Sequence, residues 1–190
     1  MDSAIVLWLN GFVGRLPWLD RAAALVVNDY FIPICLGLVL VGLWFSGHSE
    51  AERERGQRAA AEAAVGLGFA NLALAVMNYF YYRPRPFVEH ELRLLFYQPP
   101  DSSFPSNPAA VGFALAVGVA LTHRRVGLLM LLLALVWAFA RVYSGINYPT
   151  DLLAGAALGT VCPLLARGFL RLLEPGPTIV LNLWRRVYLA

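Results

Sequence analysis

The chain has 190 residues, of which 59% are hydrophobic and only 14% are charged, and its mean hydropathy is +0.61. A soluble globular domain carries about a quarter charged residues, so this composition excludes an ordinary soluble protein and indicates one integral membrane domain, residues 1–190. The net charge of +3 arises from 15 scattered arginines and 12 acidic residues, which argues against a nucleic-acid partner.

The apolar runs, taken in chain order, predict a helical membrane bundle. Residues 1–28 are apolar but broken by charge, which is typical of interfacial helices. A transmembrane core, residues 29–173, and a C-terminal tail, residues 174–190, follow. The core contains five apolar runs: 30–46, 59–82, 109–122, 126–140 and 152–166. Since a span needs about 20 residues, the last three runs span only with their flanking residues.

No segment shows the alternation of a β-strand, so the sequence predicts an all-α integral membrane protein. Its core is a bundle of five transmembrane helices, or of six if residues 4–27 also span. The arginines predict the orientation, because short cytoplasmic loops carry an excess of them. Nine lie in the loop 48–58, the turn 123–125 and the segment after residue 166, against six on the other side. The former side is therefore predicted to be cytoplasmic.

Three polar segments fall on the predicted outer face. They are RPRPF at residues 83–87, SFPSNP at 103–108 and ARVYSGINYPTD at 140–151. Each has a plain structural explanation: a helix stop, a helix cap by Ser106 or Asn107, and a tight turn with an aspartate cap. Together, two arginines and a helix N-terminus at one membrane face predict a pocket for a phosphate group.

These motifs resemble those of the phosphatidic acid phosphatase type 2 superfamily of membrane lipid phosphatases. The likeness is greatest to the bacitracin-resistance type of undecaprenyl-pyrophosphate phosphatase, and it covers nearly the whole chain. The segments that carry the resemblance are RPRPF, SFPSN at 103–107, ARVYSG at 140–145 and YPTDLLAG at 148–155. The resemblance implies an active site near the outer face of a bacterial cytoplasmic membrane.

The resemblance also implies roles for single residues. Arg85, Ser106 and Arg141 match phosphate-binding residues of the family, and Asp151 matches the aspartate that orients the nucleophilic histidine. Asn78 stands where the first motif usually begins with a lysine, which the bacitracin-resistance type also tends to lack. The supporting positions are Asn78, Asn107, Asn147 and Asp151.

Both catalytic histidines of the family pattern are replaced. Pro108 stands in place of the histidine that protonates the leaving group, and Asn147 stands in place of the nucleophile. A neutral imidazole nitrogen can attack phosphorus and has a pKa near neutrality, whereas an asparagine amide is not basic and a proline has no proton to give. Losing both histidines should lower the rate of phosphate hydrolysis by several orders of magnitude.

Few other residues of the chain are candidates for a substitute nucleophile. His48 and His123 fall on the predicted cytoplasmic side, which leaves His90 as the candidate histidine, and its simpler explanation is a surface residue in an acidic loop. Weaker candidates are Tyr143, Tyr148 and Asp101.

Three functions therefore remain open from the sequence. The protein binds a lipid phosphate without hydrolysing it, as a carrier, scramblase or regulator; or it is a lipid phosphatase with a rearranged mechanism; or it is a structural membrane protein. The predicted partners are the lipid bilayer and a membrane lipid phosphate, such as a polyprenyl (pyro)phosphate or a phospholipid, and the oligomeric state stays open. No cofactor is implied, and no His/Asp cluster has the spacing of metal ligands.

Overall fold

The protein is all-helical in the computed structural model, which describes residues 1–186. No strand occurs within these residues. The helices are α1 Asp2–Asn10, α2 Pro17–Val26, α3 Phe31–Phe45, α4 Glu50–Phe80, α5 Pro86–Glu89, α6 Asn107–Ala120, α7 Arg124–Tyr143, α8 Pro149–Leu172 and α9 Gly176–Arg186. Each of the five predicted apolar runs coincides with one helix, and the prediction of an all-α membrane bundle is confirmed.

The helices differ in whether they can cross a membrane alone. By length and composition, α4, α7 and α8 can do so, and α2 with α3 would add a fourth span if this pair, bent by 55°, crosses as one. Helix α6 has 14 residues and is about 21 Å long, which is shorter than a hydrocarbon core of about 30 Å. Fewer helices therefore reach spanning length than the five predicted.

The N-terminal region forms two short helices that pack against α7. A sixth straight span through residues 4–27 is wrong, because α1 ends at Asn10 and α2 begins at Pro17. Between them Gly14 has a φ of +86°, a left-handed conformation that interrupts a helix. Trp8 and Trp18 keep 65% and 69% of their surface exposed, and the interfacial position of these helices stays a prediction.

Two segments that the sequence assigned to a loop and a tail contain helix. Helix α4 begins at Glu50, inside the predicted loop 48–58, because Ser49 accepts a hydrogen bond from the Glu52 amide and the acidic residues favour a helix N-terminus. Helix α9 occupies much of the predicted tail. The last four tail residues, 187–190, and the side chain of Arg186 lie outside the described residues.

Helix α6 lies at the centre of the bundle, in contact with α4, α7 and α8. Small residues let it approach its neighbours closely. A Cβ on Gly155 of α8 would lie 2.3 Å from the Ser106 carbonyl oxygen, and one on Gly159 would lie 2.4 Å from that of Ala110. The start of α8 is thereby pressed against the start of α6.

The long helices alternate in direction along the chain, so that α4 and α7 end where α6 and α8 begin. The three polar segments follow α4, precede α6 and join α7 to α8. They consequently meet at one end of the bundle, as the sequence predicted.

Candidate phosphate-binding site

The N-terminus of α6 forms one wall of the site. Ser106 is the N-cap, and its hydroxyl accepts a hydrogen bond from the Ala109 amide at 3.5 Å. Pro108 lies in the first turn, where its missing N–H breaks no intrahelical bond. The Ser106 amide donates to the Asp151 carbonyl oxygen at 2.9 Å, which ties α6 to α8. The predicted cap is therefore present, and Ser106 itself is buried.

Two buried arginines face each other across Asn147. Arg85 and Arg141 are only 4% and 2% exposed. The Asn147 Oδ1 atom accepts from Arg85 Nη1 at 3.4 Å and from Arg141 Nε at 3.3 Å. Its Nδ2 atom donates to the Ser103 carbonyl oxygen at 3.0 Å. Asn147 therefore holds the two guanidinium groups close together, as a neutral acceptor between two cations.

Each of these arginines also forms an ion pair with a more exposed carboxylate. Arg85 Nη2 lies 2.9 Å from Asp101 Oδ1, and Arg141 Nη1 lies 2.8 Å from Asp29 Oδ1. The Asp101 and Asp29 side chains are 62% and 33% exposed. Tyr97 donates to Asp29 at 3.0 Å, and this hydrogen bond raises the pKa of Tyr97. An anion that binds the arginines must compete with the two carboxylates.

Asp151 is fully buried at the start of α8, where it caps the helix. It accepts from the Tyr148 amide at 2.9 Å, from Arg83 Nη1 at 2.6 Å and from the Ser103 hydroxyl. In the family pattern this aspartate orients a histidine. Here its partners are a serine and an arginine, which satisfy the buried charge instead.

Arg83 links this aspartate to the N-terminus of the chain. Its Nη2 atom lies 2.9 Å from Asp2 Oδ2, and its guanidinium stacks 4.1 Å from the Tyr148 ring centroid. Burial disfavours ionisation of Asp2, but hydrogen bonds from Thr150 and Arg83 outweigh burial and lower the pKa of Asp2. Sequence reasoning missed Arg83, although it belongs to the RPRPF motif. It also missed Asp2 and Ser103.

A cavity of about 580 Å³ opens beside the two arginines. Asp29, Asp101, Asn107 and Pro108 line it near the helix ends, and its deeper lining residues are Pro33, Leu67, Asn71, Val111 and Trp137. Asn71 lies nine residues before the end of α4, which corresponds to a depth of about 13 Å along the helix. The cavity thus joins an entrance lined by two arginines and two aspartates to a largely apolar interior.

The candidate residues divide into those that line the cavity and those that do not. Arg85, Arg141, Asn107 and Pro108 line it. The buried side chains of Ser106, Asn147 and Asp151 do not line it, and of these three Asn147 contacts both arginines. Asn78 is exposed and also lies outside the cavity lining.

The candidate replacement nucleophiles also differ in whether they line the cavity. His90 is not among the cavity-lining residues, whereas Asp101 is. Tyr143 donates to Asp20 at 2.6 Å and Tyr148 to Glu89 at 2.7 Å, and both bonds lie away from the cavity. Burial, reinforced by Glu89, raises the pKa of Tyr148 to about 12, so it stays protonated at neutral pH. Within residues 1–186, no group of three or more His, Cys, Asp or Glu could hold a metal ion.

The model of the PAP2 superfamily matches residues 59–172, which is more than half of the chain. The chain belongs to the PAP2 superfamily. It is 29% identical over 168 residues to the putative undecaprenyl-diphosphatase YbjG of Escherichia coli (strain K12), covering 88% of this chain and 81% of that protein. It is 25% identical over 165 residues to the undecaprenyl-diphosphatase BcrC of Bacillus subtilis (strain 168), covering 85% and 80%.

A solved structure confirms the fold of this PAP2 protein. The transmembrane PAP2-type phosphatidylglycerolphosphate phosphatase of Bacillus subtilis superposes with a TM-score of 0.63 at 21% identity, covering 92% of this chain and 87% of that one. The protein is thus a membrane protein related to lipid phosphatases, and its matched region includes the three motifs and every cavity-lining residue except Asp29 and Pro33.

Proposed function

We propose that the protein binds the phosphate or pyrophosphate head group of a membrane lipid in this cavity, without standard phosphohistidine hydrolysis. The ligand is a polyprenyl (pyro)phosphate or a phospholipid, and the protein acts as a carrier, scramblase or regulator. The pocket faces the extracytoplasmic side of a bacterial cytoplasmic membrane, in line with the arginine distribution.

One observation carries the proposal: Arg85 and Arg141 line the cavity, while Asn147 and Pro108 occupy the positions of the two catalytic histidines. The two arginines offer charge-assisted donors to a phosphate at the cavity entrance. The Asn147 amide nitrogen is engaged as a donor to Ser103 and has no basic lone pair with which to attack phosphorus. Pro108 lines the cavity and cannot protonate a leaving group.

The cavity interior supports a lipid rather than a free anion. Its deeper wall consists largely of apolar side chains from α3, α4, α6 and α7, which can accompany the first part of an acyl or prenyl chain. Trp137 is 3% exposed and its indole N–H has no hydrogen-bond partner within the described residues. This indole N–H, one helical turn before Arg141, is available to a polar group at the head of the lipid's acyl or prenyl chain.

A binding measurement tests the proposal. Purified protein in detergent is titrated with farnesyl pyrophosphate, a short-chain probe, while phosphate release is followed in parallel. We expect binding without release, and weakening of about tenfold or more in Arg85→Gln, because a hydrogen bond to a charged group contributes about 1.5–3 kcal/mol. The exposed Arg15→Gln is the matched control, since it removes the same charge outside the cavity.

Two outcomes would overturn the proposal. Release of phosphate that Arg85→Gln abolishes would make the protein an enzyme. Absence of binding, or equal weakening in both variants, would favour a structural membrane protein. Melting temperatures of the variants establish that each is folded.

A second candidate function is supported by the position of Asp101. Its carboxylate lines the cavity, is 62% exposed and lies beside Arg85. Such a carboxylate can attack the terminal phosphorus of a pyrophosphate, releasing the lipid monophosphate and leaving an aspartyl phosphate that water hydrolyses. This rearranged phosphatase places the nucleophile on Asp101 rather than His90. It requires that Asp101→Asn abolish phosphate release.

A further inference from the structure

A second cavity, of about 740 Å³, lies at the opposite end of the bundle. It is lined by residues near the start of α4, the end of α8 and α9, together with Thr122 after α6. Helix α8 runs from the first site at Pro149 to this cavity at Leu170 and Arg171, and its 24 residues are about 36 Å long. The two cavities therefore lie near opposite membrane surfaces.

Charged residues of both signs line the second cavity, with arginine in excess. Arg58 pairs with Glu174 at 2.9 Å, and Arg167 lies 3.8 Å from Glu62. Arg171 also lines the cavity, is exposed, and forms no ion pair within residues 1–186. Three arginines against two glutamates leave a net positive charge, carried by Arg171.

Arg167 has spare hydrogen-bonding capacity as well. Its Nη1 atom donates to the Leu121 carbonyl oxygen at 2.9 Å, whereas its buried Nε atom forms no hydrogen bond in the described chain and has only the long ion-pair contact to Glu62 Oε1 at 3.8 Å. A buried guanidinium N–H without a hydrogen bond is costly, so a closer acceptor supplied by a ligand would be favourable.

The remaining walls of the cavity are apolar and aromatic. They consist of Trp44, Leu170, Leu173, Val180, Leu181 and Trp184. On α9, Ile179 and Leu183 are 60% and 62% exposed, so this helix also presents apolar surface outward. Such a helix, with tryptophans at the same level, is typical of the boundary between head groups and acyl chains.

We propose that this second cavity binds an anionic phospholipid of the adjacent leaflet. Its phosphate lies between Arg167 and Arg171, and its acyl chain follows the apolar wall formed by α8 and α9. The apolar wall favours a lipid over free phosphate, because free phosphate has no apolar part to bury. The excess of arginine over glutamate favours an anionic lipid over a zwitterionic one. The proposal is independent of what the first site binds.

Native mass spectrometry tests this assignment on the full chain. Arg85→Gln is the common background, so that head groups held by the first site contribute less to the retained lipid. Protein is transferred from micelles that contain equal amounts of phosphatidylglycerol and phosphatidylcholine, and the retained lipid is identified. We expect preferential retention of phosphatidylglycerol, and about fivefold weaker retention after Arg171→Gln, the effect typical of one arginine near an anionic surface.

Two matched variants separate a site from general surface charge. Arg125→Gln removes an exposed arginine at the same end of the bundle but outside the cavity, and it should leave retention unchanged. Arg171→Lys keeps the charge and should preserve most of the preference. Because Arg171 is exposed and unpaired, neither substitution at this position should prevent folding.

Three results would overturn the proposal. Equal retention of both lipids would remove the requirement for an anionic head group. Equal losses of retained phosphatidylglycerol in Arg171→Gln and Arg125→Gln would show that these arginines act only as non-specific surface charge. Displacement of phosphatidylglycerol by millimolar inorganic phosphate would assign the cavity to a small anion instead.

Discussion

Replacing Asp101 with asparagine tests whether the two site arginines are held by carboxylates that a phosphate ligand must displace. The Asp101 carboxylate lies 2.9 Å from Arg85, and the Arg85 Nε atom also donates to the Asp101 backbone carbonyl at 3.1 Å. Asp101→Asn removes the charge but keeps this backbone contact. Arg85 should therefore stay in place while its charge becomes available to the ligand.

The expected change in Kd depends on how exposed the Asp101 side chain is. Two unit charges 4 Å apart interact by about 1 kcal/mol in water and about 4 kcal/mol near a protein surface. Because the Asp101 side chain is 62% exposed and can turn toward solvent, the lower value applies. Removing about 1 kcal/mol of competition should tighten binding about fivefold.

The assay is the Kd for farnesyl pyrophosphate, measured at fixed ionic strength. Glu91→Gln provides the control, because Glu91 is an exposed acid in the neighbouring loop that does not line the cavity. Weaker or unchanged binding in Asp101→Asn would refute the idea of competing carboxylates. If wild-type protein releases phosphate and Asp101→Asn abolishes that release, Asp101 is instead a nucleophile.

Three further predictions concern the scaffold of the site. Ser103→Ala should lower the free energy of unfolding by about 1–3 kcal/mol, because it removes a buried donor to Asp151; an unchanged melting temperature would contradict this. Gly155→Ala should destabilise by about 1–3 kcal/mol, since its Cβ would overlap the start of α6, whereas Gly168→Ala, with open space around it in the same helix, should be neutral or stabilising; equal melting temperatures would exclude this packing. The lowered pKa of Asp2 means that its ionised form stabilises the fold above pH 4 and that this stability is lost as the pH falls. The melting-temperature difference between wild type and Asp2→Asn should therefore shrink below about pH 4, and a constant difference would refute the role of its charge.

Much of the architecture follows from features that are local in the sequence. Long apolar runs alternate with polar segments, so consecutive helices reverse direction and every second connection lies at the same end. For this reason the sequence alone places Arg85, Ser106 and Arg141 at one end of the bundle. The cap at Ser106 could also be predicted, because a serine before a proline-containing first turn is a local signal.

The interactions that set the charge of the site are not local and could not be predicted in this way. Asp29 reaches Arg141 across 112 positions, and Asp2 reaches Arg83 across 81. Neither aspartate has a motif around it, so only the tertiary packing of residues 1–30 on the rest of the bundle reveals these contacts. The start of α4 at Glu50, by contrast, could be predicted from the sequence, because Ser49 is a local capping signal. The many charged residues of segment 48–58 favoured a loop instead.

Phosphate release from undecaprenyl pyrophosphate tests the central claim most directly. The wild-type protein is compared with Arg85→Gln and with the double reversion Pro108→His, Asn147→His. The first substitution of that pair places an imidazole on a position that lines the cavity, and the second restores one between the two arginines. We expect no release by wild type above the Arg85→Gln background, and release by the double reversion. Release by wild type that depends on Arg85 would contradict a phosphate site without hydrolytic chemistry.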